Sequence, residues 1–398
     1  MAPASRSAAP YNSPRLPLAS LAFSYFVMGT STVAMVGTLT AIAGGLHVSQ
    51  EAVARLIAAF AITFALAAPA IQVFLGHLPR RSLILAGLLL ATLGSLLSAF
   101  ASGYTTMFVA RILTALGSAA IGPVASALGA GLVARERQGR ALATVFLGMT
   151  MASVLSAPLA NWFAAIAGWR AMFVAIAVLN ALAGLGILTQ VHDRSCGQRM
   201  SIAALLHVLR QPRIAAAIGV MLLQMAGVFV SYAMVVPILR DHFGLAANLV
   251  PAALMSFGVA GIFGNVLARH LSDRWSADRS VAAALIAMAS VFTILYIAPK
   301  IVSAAFGVMV LWATANDLFM PAQQRRLIEL APEMRSLVLA LNSSALYAGM
   351  SVGSFVGGRL AAGFGVAALP VGSALFVAAA LLALQASRKA EVPVPVQG

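Results

Sequence analysis

Two charged side chains stand in this chain where charge is rare. Arg111 lies in Phe108-Val109-Ala110-Arg111-Ile112-Leu113-Thr114-Ala115-Leu116-Gly117, and Asp317 in Trp312-Ala313-Thr314-Ala315-Asn316-Asp317-Leu318. Hydrocarbon does not solvate a charge, so such a residue faces a cavity or a partner. Arg111 reads as a functional group turned to a cavity or a partner, or as a side chain that snorkels to the nearer, outer interface. Asp317 reads as a carboxylate that takes a proton, an arginine or a cationic solute, or as an interfacial residue paired with Arg325 or Arg326. Polar and aromatic side chains interrupt other apolar runs. Of these, Tyr25, Thr32, Asn161, Gln224, Tyr232, Trp312, Asn316 and Asn342 are the candidates for lining a solute cavity.

Enzyme chemistry needs a different inventory. The sequence holds no GxSxG, no HExxH, no Walker A run and no paired carboxylates. Its six histidines fall in loops or at the ends of apolar runs, and its single cysteine, Cys196, has no partner for a disulfide. Nothing has the spacing of a metal site, and no cofactor motif occurs. Without an ATPase domain, uphill work has to draw on an ion gradient.

The elements that must position these residues are set by composition. Of 398 residues 61% are hydrophobic and only 9% charged, with mean hydropathy +0.96. A soluble domain carries about 25% charged residues, because a water-facing surface needs them; a lipid-facing surface does not. The net charge of +15 would suggest nucleic acid in a soluble protein. Here the basic residues are scattered between apolar runs and form no stripe.

A membrane-crossing helix takes about 20 mostly apolar residues. Twelve such runs are expected, at 18–42, 53–75, 82–101, 106–133, 140–166, 170–190, 214–239, 249–271, 280–298, 301–322, 337–362 and 366–387. Strands are excluded by run length and by the lack of alternation. With the N-terminus inside, 19 of the 25 basic residues fall in inner segments and five outside, the last being Arg111. The positive-inside bias therefore places both termini in the cytoplasm.

The chain is also doubled. A shift of 201 residues puts Gly148-Met149 on Gly349-Met350, Ser153 on Ser354, and Leu159-Ala160 on Leu360-Ala361. Ser156-Ala157 falls on Gly357-Gly358. Two six-helix units in the same orientation follow, with a solute site expected at their interface near the bilayer midplane. The expected division is a tail at 1–17, a bundle at 18–190, a linker at 191–213, a second bundle at 214–387 and a tail at 388–398. Within the bundles, Pro158 bends span 5, and Gly349, Gly353 and Gly357 form a small-residue face on span 11.

Six segments together resemble the major facilitator superfamily, in the drug:proton antiporter branch that includes arabinose and chloramphenicol efflux permeases. Gly76-His77-Leu78-Pro79-Arg80-Arg81 is similar to the superfamily's inner-loop signature, with Pro79 near the place of its acid. Gly264-Asn265 with Leu271-Ser272-Asp273-Arg274 resembles the repeat of that signature. Arg111 with Gly117 resembles the span 4 motif, whose arginine is implicated in proton coupling. Gly148 through Pro158 resembles the span 5 antiporter motif, with Ser156 and Ala160 replacing glycines. Gly168-Trp169-Arg170 with Phe173, and Leu341-Asn342-Ser343-Ser344-Ala345 through Gly357-Gly358, match further segments of the branch. The resemblance covers about residues 18–387.

It implies an all-α membrane protein, a monomer in the bacterial inner membrane. That protein moves a small neutral or amphiphilic solute by alternating access, with protons as the coupled ion. Gly76, Arg80, Arg81, Pro158, Gly264, Asp273 and Arg274 are then conformational residues. Many efflux relatives carry an acid in span 1 near the position of Gly29-Thr30. This chain has Ser31 and Thr32 there, which leaves Asp317, a different coupling, or passive transport. Uptake in the same fold and a non-transporting membrane sensor are the competing expectations.

Overall fold

In a computed structural model, the structure describes residues 15–134, 137–192, 195–196, 201–272 and 274–389. Twelve helices among these residues are long and apolar enough to cross a membrane. In order they are α1 (Arg15–Gly37), α2 (Gln50–Phe74), α3 (Arg80–Ala99), α4 (Tyr104–Gly131), α5 (Gln138–Ala167) and α6 (Trp169–Gln190), then α7 (Pro212–Tyr232), α8 (Val250–Ser272), α9 (Ala277–Ile297), α10 (Val302–Leu330), α11 (Arg335–Phe364) and α12 (Leu369–Lys389). Each expected run is helical over most of its length, the form in which a segment in lipid satisfies its own backbone groups. No strand occurs among the described residues; an isolated bridge joins Pro79 to Cys196.

Three boundaries depart from the hydropathy reading. The first run breaks at Thr38, where the helix restarts as Leu39–Leu46. The seventh ends at Tyr232, and a short turn and a π-helical turn, Ile238–His242, follow. Hydropathy cannot register either break, because the flanking residues stay apolar. α10 runs on to Leu330 through Pro321, past the expected end at 322, because the charges of its last turns find partners.

Two compact units result, Met1–Val48 with Leu66–Met200, and Ser49–Ala65 with Ser201–Gly398. In the first, α1 packs on α5 and α3 on α4; in the second, α7 packs on α11 and α12, and α8 on α10. The first half of α2 belongs to the second unit, where Phe64 stacks on Tyr347 of α11 at 3.7 Å between ring centroids.

Glycine sets the closest helix contacts. A Cβ on Gly349, Gly353 or Gly357 of α11 would overlap the carbonyl oxygen of Leu222, Ala226 or Val230 of α7. Both rows have a spacing of four, so one face of α11 lies on one face of α7. The first unit repeats the device: Gly148 of α5 abuts the Ala22 carbonyl, and Gly37 of α1 abuts that of Ala157. Gly168 and Gly365 have positive φ, +86° and +76°. They make the tight turns that follow α5 and α11, where a side chain would be strained.

The α7–α11 contact is tested by adding one methyl. Gly357→Ala is expected to cost about 1–3 kcal/mol, read as earlier thermal unfolding of the detergent-purified protein. Gly363→Ala, whose methyl meets nothing within 4 Å, is expected to unfold no earlier than the parent. Identical curves for the two would rule the contact out.

Candidate functional site

Three of the expected cavity and coupling residues form one chain of hydrogen bonds in the second unit. Gln224 of α7 donates from Nε2 to Asn316 Oδ1 of α10 at 3.3 Å. Asn316 donates from Nδ2 to Asp317 Oδ1 at 3.1 Å. Opposite them, α8 offers only glycine: a Cβ on Gly261 would overlap Asp317 Oδ2, and one on Gly264 would crowd Thr314 and the Asp317 Cβ. The carboxylate therefore sits in a recess that a side chain would fill.

Asp317 makes no ion pair among the described residues. Arg325 pairs with Glu329 at 2.7 Å, and Arg326 with Asp278 at 2.6 Å. The two arginines of the interfacial reading are thus engaged elsewhere.

One helical turn before Asn316, Trp312 is the hub of an aromatic cluster. Its ring lies edge-on to Tyr232, Phe257 and Phe292, at 5.9, 5.7 and 5.3 Å between centroids. Edge-to-face pairs of this kind add to the burial of the rings. Trp312 Nε1, Gln224 Oε1 and Asn342 Oδ1 are buried and without a hydrogen-bond partner. A buried polar atom without a partner is costly, so these three mark where a polar ligand would gain most.

The first unit holds the other candidates differently. Arg111 is 1% exposed and donates from Nη1 to the Ser31 carbonyl of α1 at 3.1 Å. Its guanidinium is packed between helices and does not reach outward. Asn161 donates from Nδ2 to the Gly37 carbonyl at 2.6 Å, at the break of α1. Thr32 bonds within its own helix, to the Met28 carbonyl at 3.0 Å. Tyr25 is half-buried and packs on Phe146 at 5.3 Å. Pro158 lies inside α5 and leaves it continuous. Gly76 is buried. Arg80 and Arg81 reach the Ala127 carbonyl at 3.5 Å and the Leu188 carbonyl at 2.8 Å, near the ends of α4 and α6. Arg274 is exposed, and Asp273 lies outside the described residues.

Sequence reasoning missed Gly261, Phe257 and Phe292 as parts of the site. Phe257, Gly261 and Gly264 share one face of α8 by spacing, a pattern that only the position of Asp317 makes meaningful. It also placed Arg326 in a loop. The structure buries it to 3% exposure, with Nε on Asp278 and Nη2 on Ser387 at 2.8 Å. Arg388 joins the same aspartate at 3.5 Å. This cluster ties α9, α10 and α12 together.

A family model described as the Major Facilitator Superfamily matches residues 21–315 and 216–397. The chain belongs to that superfamily. It is 32% identical to the inner membrane transport protein YdhP of Escherichia coli K12, over 92% of this chain and 94% of that one. It is 32% identical to a chloramphenicol resistance protein of Streptomyces lividans, over 65% of this chain and 67% of that one. Its fold matches the crystal structure of a D-xylose–proton symporter with TM-score 0.74 at 18% identity, over 95% of this chain and 98% of that one. The protein is a multi-pass membrane transporter and not an enzyme, and the resemblance to the drug-efflux branch stands.

Within this transporter the Asp278 cluster gives a stability test. Asp278→Asn leaves the buried Arg326 without its anion and is expected to cost about 1–3 kcal/mol. Adding Arg326→Met is expected to restore part of that loss, because the unpaired charge goes with it. Thermal unfolding of the two purified variants decides it; a double variant less stable than Asp278→Asn alone would refute the account.

Proposed function

We propose that this protein exports a small neutral or amphiphilic solute across a bacterial inner membrane by alternating access, and that protons drive it. Two six-helix bundles, 18–190 and 214–387, carry out the cycle as a monomer in the bilayer with both termini in the cytoplasm. Asp317 carries the proton and Arg111 tunes the coupled step.

The observation that carries this reading is Asp317 itself. It is a carboxylate on a membrane-crossing helix, faced by two glycines and joined to two amides in series, with no cation paired to it among the described residues. An ionisable residue on a membrane-crossing helix with no counter-ion beside it is a natural proton relay. α1 offers no alternative carrier, since Ser31 and Thr32 bond only to carbonyls of their own helix. Export is favoured by the relatives, because one of them is named for chloramphenicol resistance. Fixed charge at the second unit's polar chain is a single acid, which suits a neutral solute better than a phosphorylated one.

Chloramphenicol flux in vesicles of oriented protein, with an imposed pH gradient, tests the reading. The parent is expected to accumulate the drug in everted vesicles only while the gradient lasts. Asp317→Asn is expected to lose gradient-driven accumulation and keep downhill exchange. Arg111→Ala is expected to slow driven transport about tenfold or more. Gradient dependence surviving in Asp317→Asn would remove that residue as the carrier, and accumulation in the opposite sense would make the protein an importer.

A further inference from the structure

The chain of amides from Asp317 to Gln224 has a direction, and the direction is set by Asp317. An ionised carboxylate only accepts. It therefore takes the Nδ2 donor of Asn316, which leaves Asn316 Oδ1 facing Gln224. That oxygen takes the Nε2 donor of Gln224, which leaves Gln224 Oε1 at the far end, buried and without a partner. Amide orientation follows from such networks, and here each link leaves one choice.

We propose that protonation of Asp317 reverses this chain and changes the free edge of Gln224 from an acceptor to a donor. The proton bonds to Asp317 Oδ1, which now donates to Asn316 Oδ1. Asn316 turns its amide over and donates from Nδ2 to Gln224 Oε1. Gln224 turns in the same way and leaves Nε2 free. One proton is taken up at one end; at the other end no proton is gained, but the hydrogen-bonding sense of the edge is inverted.

The consequence for transport is mutual exclusion at a distance. In the ionised state the second unit has a free acceptor at Gln224 Oε1 and a free donor at Trp312 Nε1. A hydroxyl or N–H group of a solute donates to the Gln224 acceptor. In the protonated state the Gln224 edge is a donor, and that solute group loses its acceptor at Gln224. The solute class is therefore a neutral molecule bearing a hydroxyl or N–H group, and it competes with the proton through two amides without touching the carboxylate. The inference rests on Asp317 being the proton carrier.

Among the described residues no cation pairs with Asp317. From α7, the titratable residue is Tyr232, whose ring packs on Trp312 and Phe257. From α8 it faces Gly261 and Gly264, and that helix's ionisable residues, Arg269 and His270, come more than a turn further on. α9 carries Asp278 and Arg279 in its first turn and Tyr296 in its last, and Asp278 is held by Arg326 and Arg388. On α11, Tyr347 stacks on Phe64 and Arg359 lies 3.8 Å from Glu51, while Arg335 is its first residue. On α10 itself the nearest charges, Arg325 and Arg326, are two turns away and paired.

Infrared difference spectroscopy of the purified full chain in phosphatidylethanolamine–phosphatidylglycerol vesicles, between mildly acid and mildly alkaline buffer, tests the switch without a substrate. The parent is expected to show two changes on acidification. One is a protonated-carboxyl band that Asp317→Asn removes. The other is a shift of a side-chain amide band that moves with carbonyl-13C glutamine labelling and disappears in Gln224→Leu. Asn316→Leu is expected to keep the carboxyl band and lose the glutamine shift. A carboxyl band from Asp317 with no label-sensitive glutamine shift in the parent overturns the relay and leaves the proton carrier standing. Absence of any Asp317 carboxyl band overturns both.

Discussion

The row of α7 carbonyls lying on the bare Cα atoms of α11 is the contact on which the second unit depends. Leu222, Ala226 and Val230 meet Gly349, Gly353 and Gly357 so closely that no side chain fits between. In lipid the hydrophobic effect does little to hold two helices together, so surface fit and close approach must do it. This fit fixes α7 in depth and in rotation. Gln224 lies between Leu222 and Ala226 in the chain and cannot share their face. The contact therefore turns it away from α11, to where its amide meets Asn316 of α10. Tyr232, at the end of the same helix, is brought against Trp312 by the same constraint. The polar chain and the aromatic cluster are thus consequences of a steric fit made elsewhere on the helix.

The two halves of the chain share a scaffold and differ in charge. At the 201-residue shift, Arg111 stands opposite Trp312, Ala115 opposite Asn316, Leu116 opposite Asp317 and Phe23 opposite Gln224. The glycine contacts are kept in both, α1 on α5 and α7 on α11. What diverged is the set of side chains that the scaffold presents. One unit holds a buried cation whose neighbour is a backbone carbonyl, and the other holds an anion whose neighbours are amides. At the same shift the opposite half carries an apolar or aromatic side chain at each place. A polar group that packing does not require, retained on a membrane-crossing helix, has its explanation in what it binds.

Much of this was legible in the residues because lipid imposes a simple rule. Helix number and approximate ends follow from apolar length, and the doubling follows from Gly148 and Gly349 with their neighbours. Arg111 and Asp317 could be named because charge is conspicuous in such runs. The breaks at Thr38 and after Tyr232 were not legible, since no change in hydropathy accompanies them; they depend on contacts such as Asn161 on the Gly37 carbonyl. The burial of Arg326 was hidden for the opposite reason. Its charge reads as loop, and only Asp278 and Ser387, from two other helices, make a buried place for it. Gly261 carried no signal of its own. Its role exists only in relation to an aspartate 56 positions further along the chain.

The inner-loop signature shows how a missing residue can mislead. With Pro79 near the place of the usual acid, Arg80 and Arg81 have no carboxylate in their own loop. Their guanidinium groups turn instead to main-chain carbonyls, Arg81 to Leu188 in the last turn of α6 and Arg80, at longer range, to Ala127 close to the end of α4. The C-terminal end of a helix carries unsatisfied carbonyls and partial negative charge. Two helix ends thus supply the negative potential that one side chain supplies elsewhere. The backbone joins in as well, with the Arg80 N–H donating to the Ser195 carbonyl at 3.1 Å. A helix end cannot be titrated or lost by a single substitution, so anchorage of this kind holds the loop in the same way at every pH. Within the helices, by contrast, this chain keeps one carboxylate and two amides in contact.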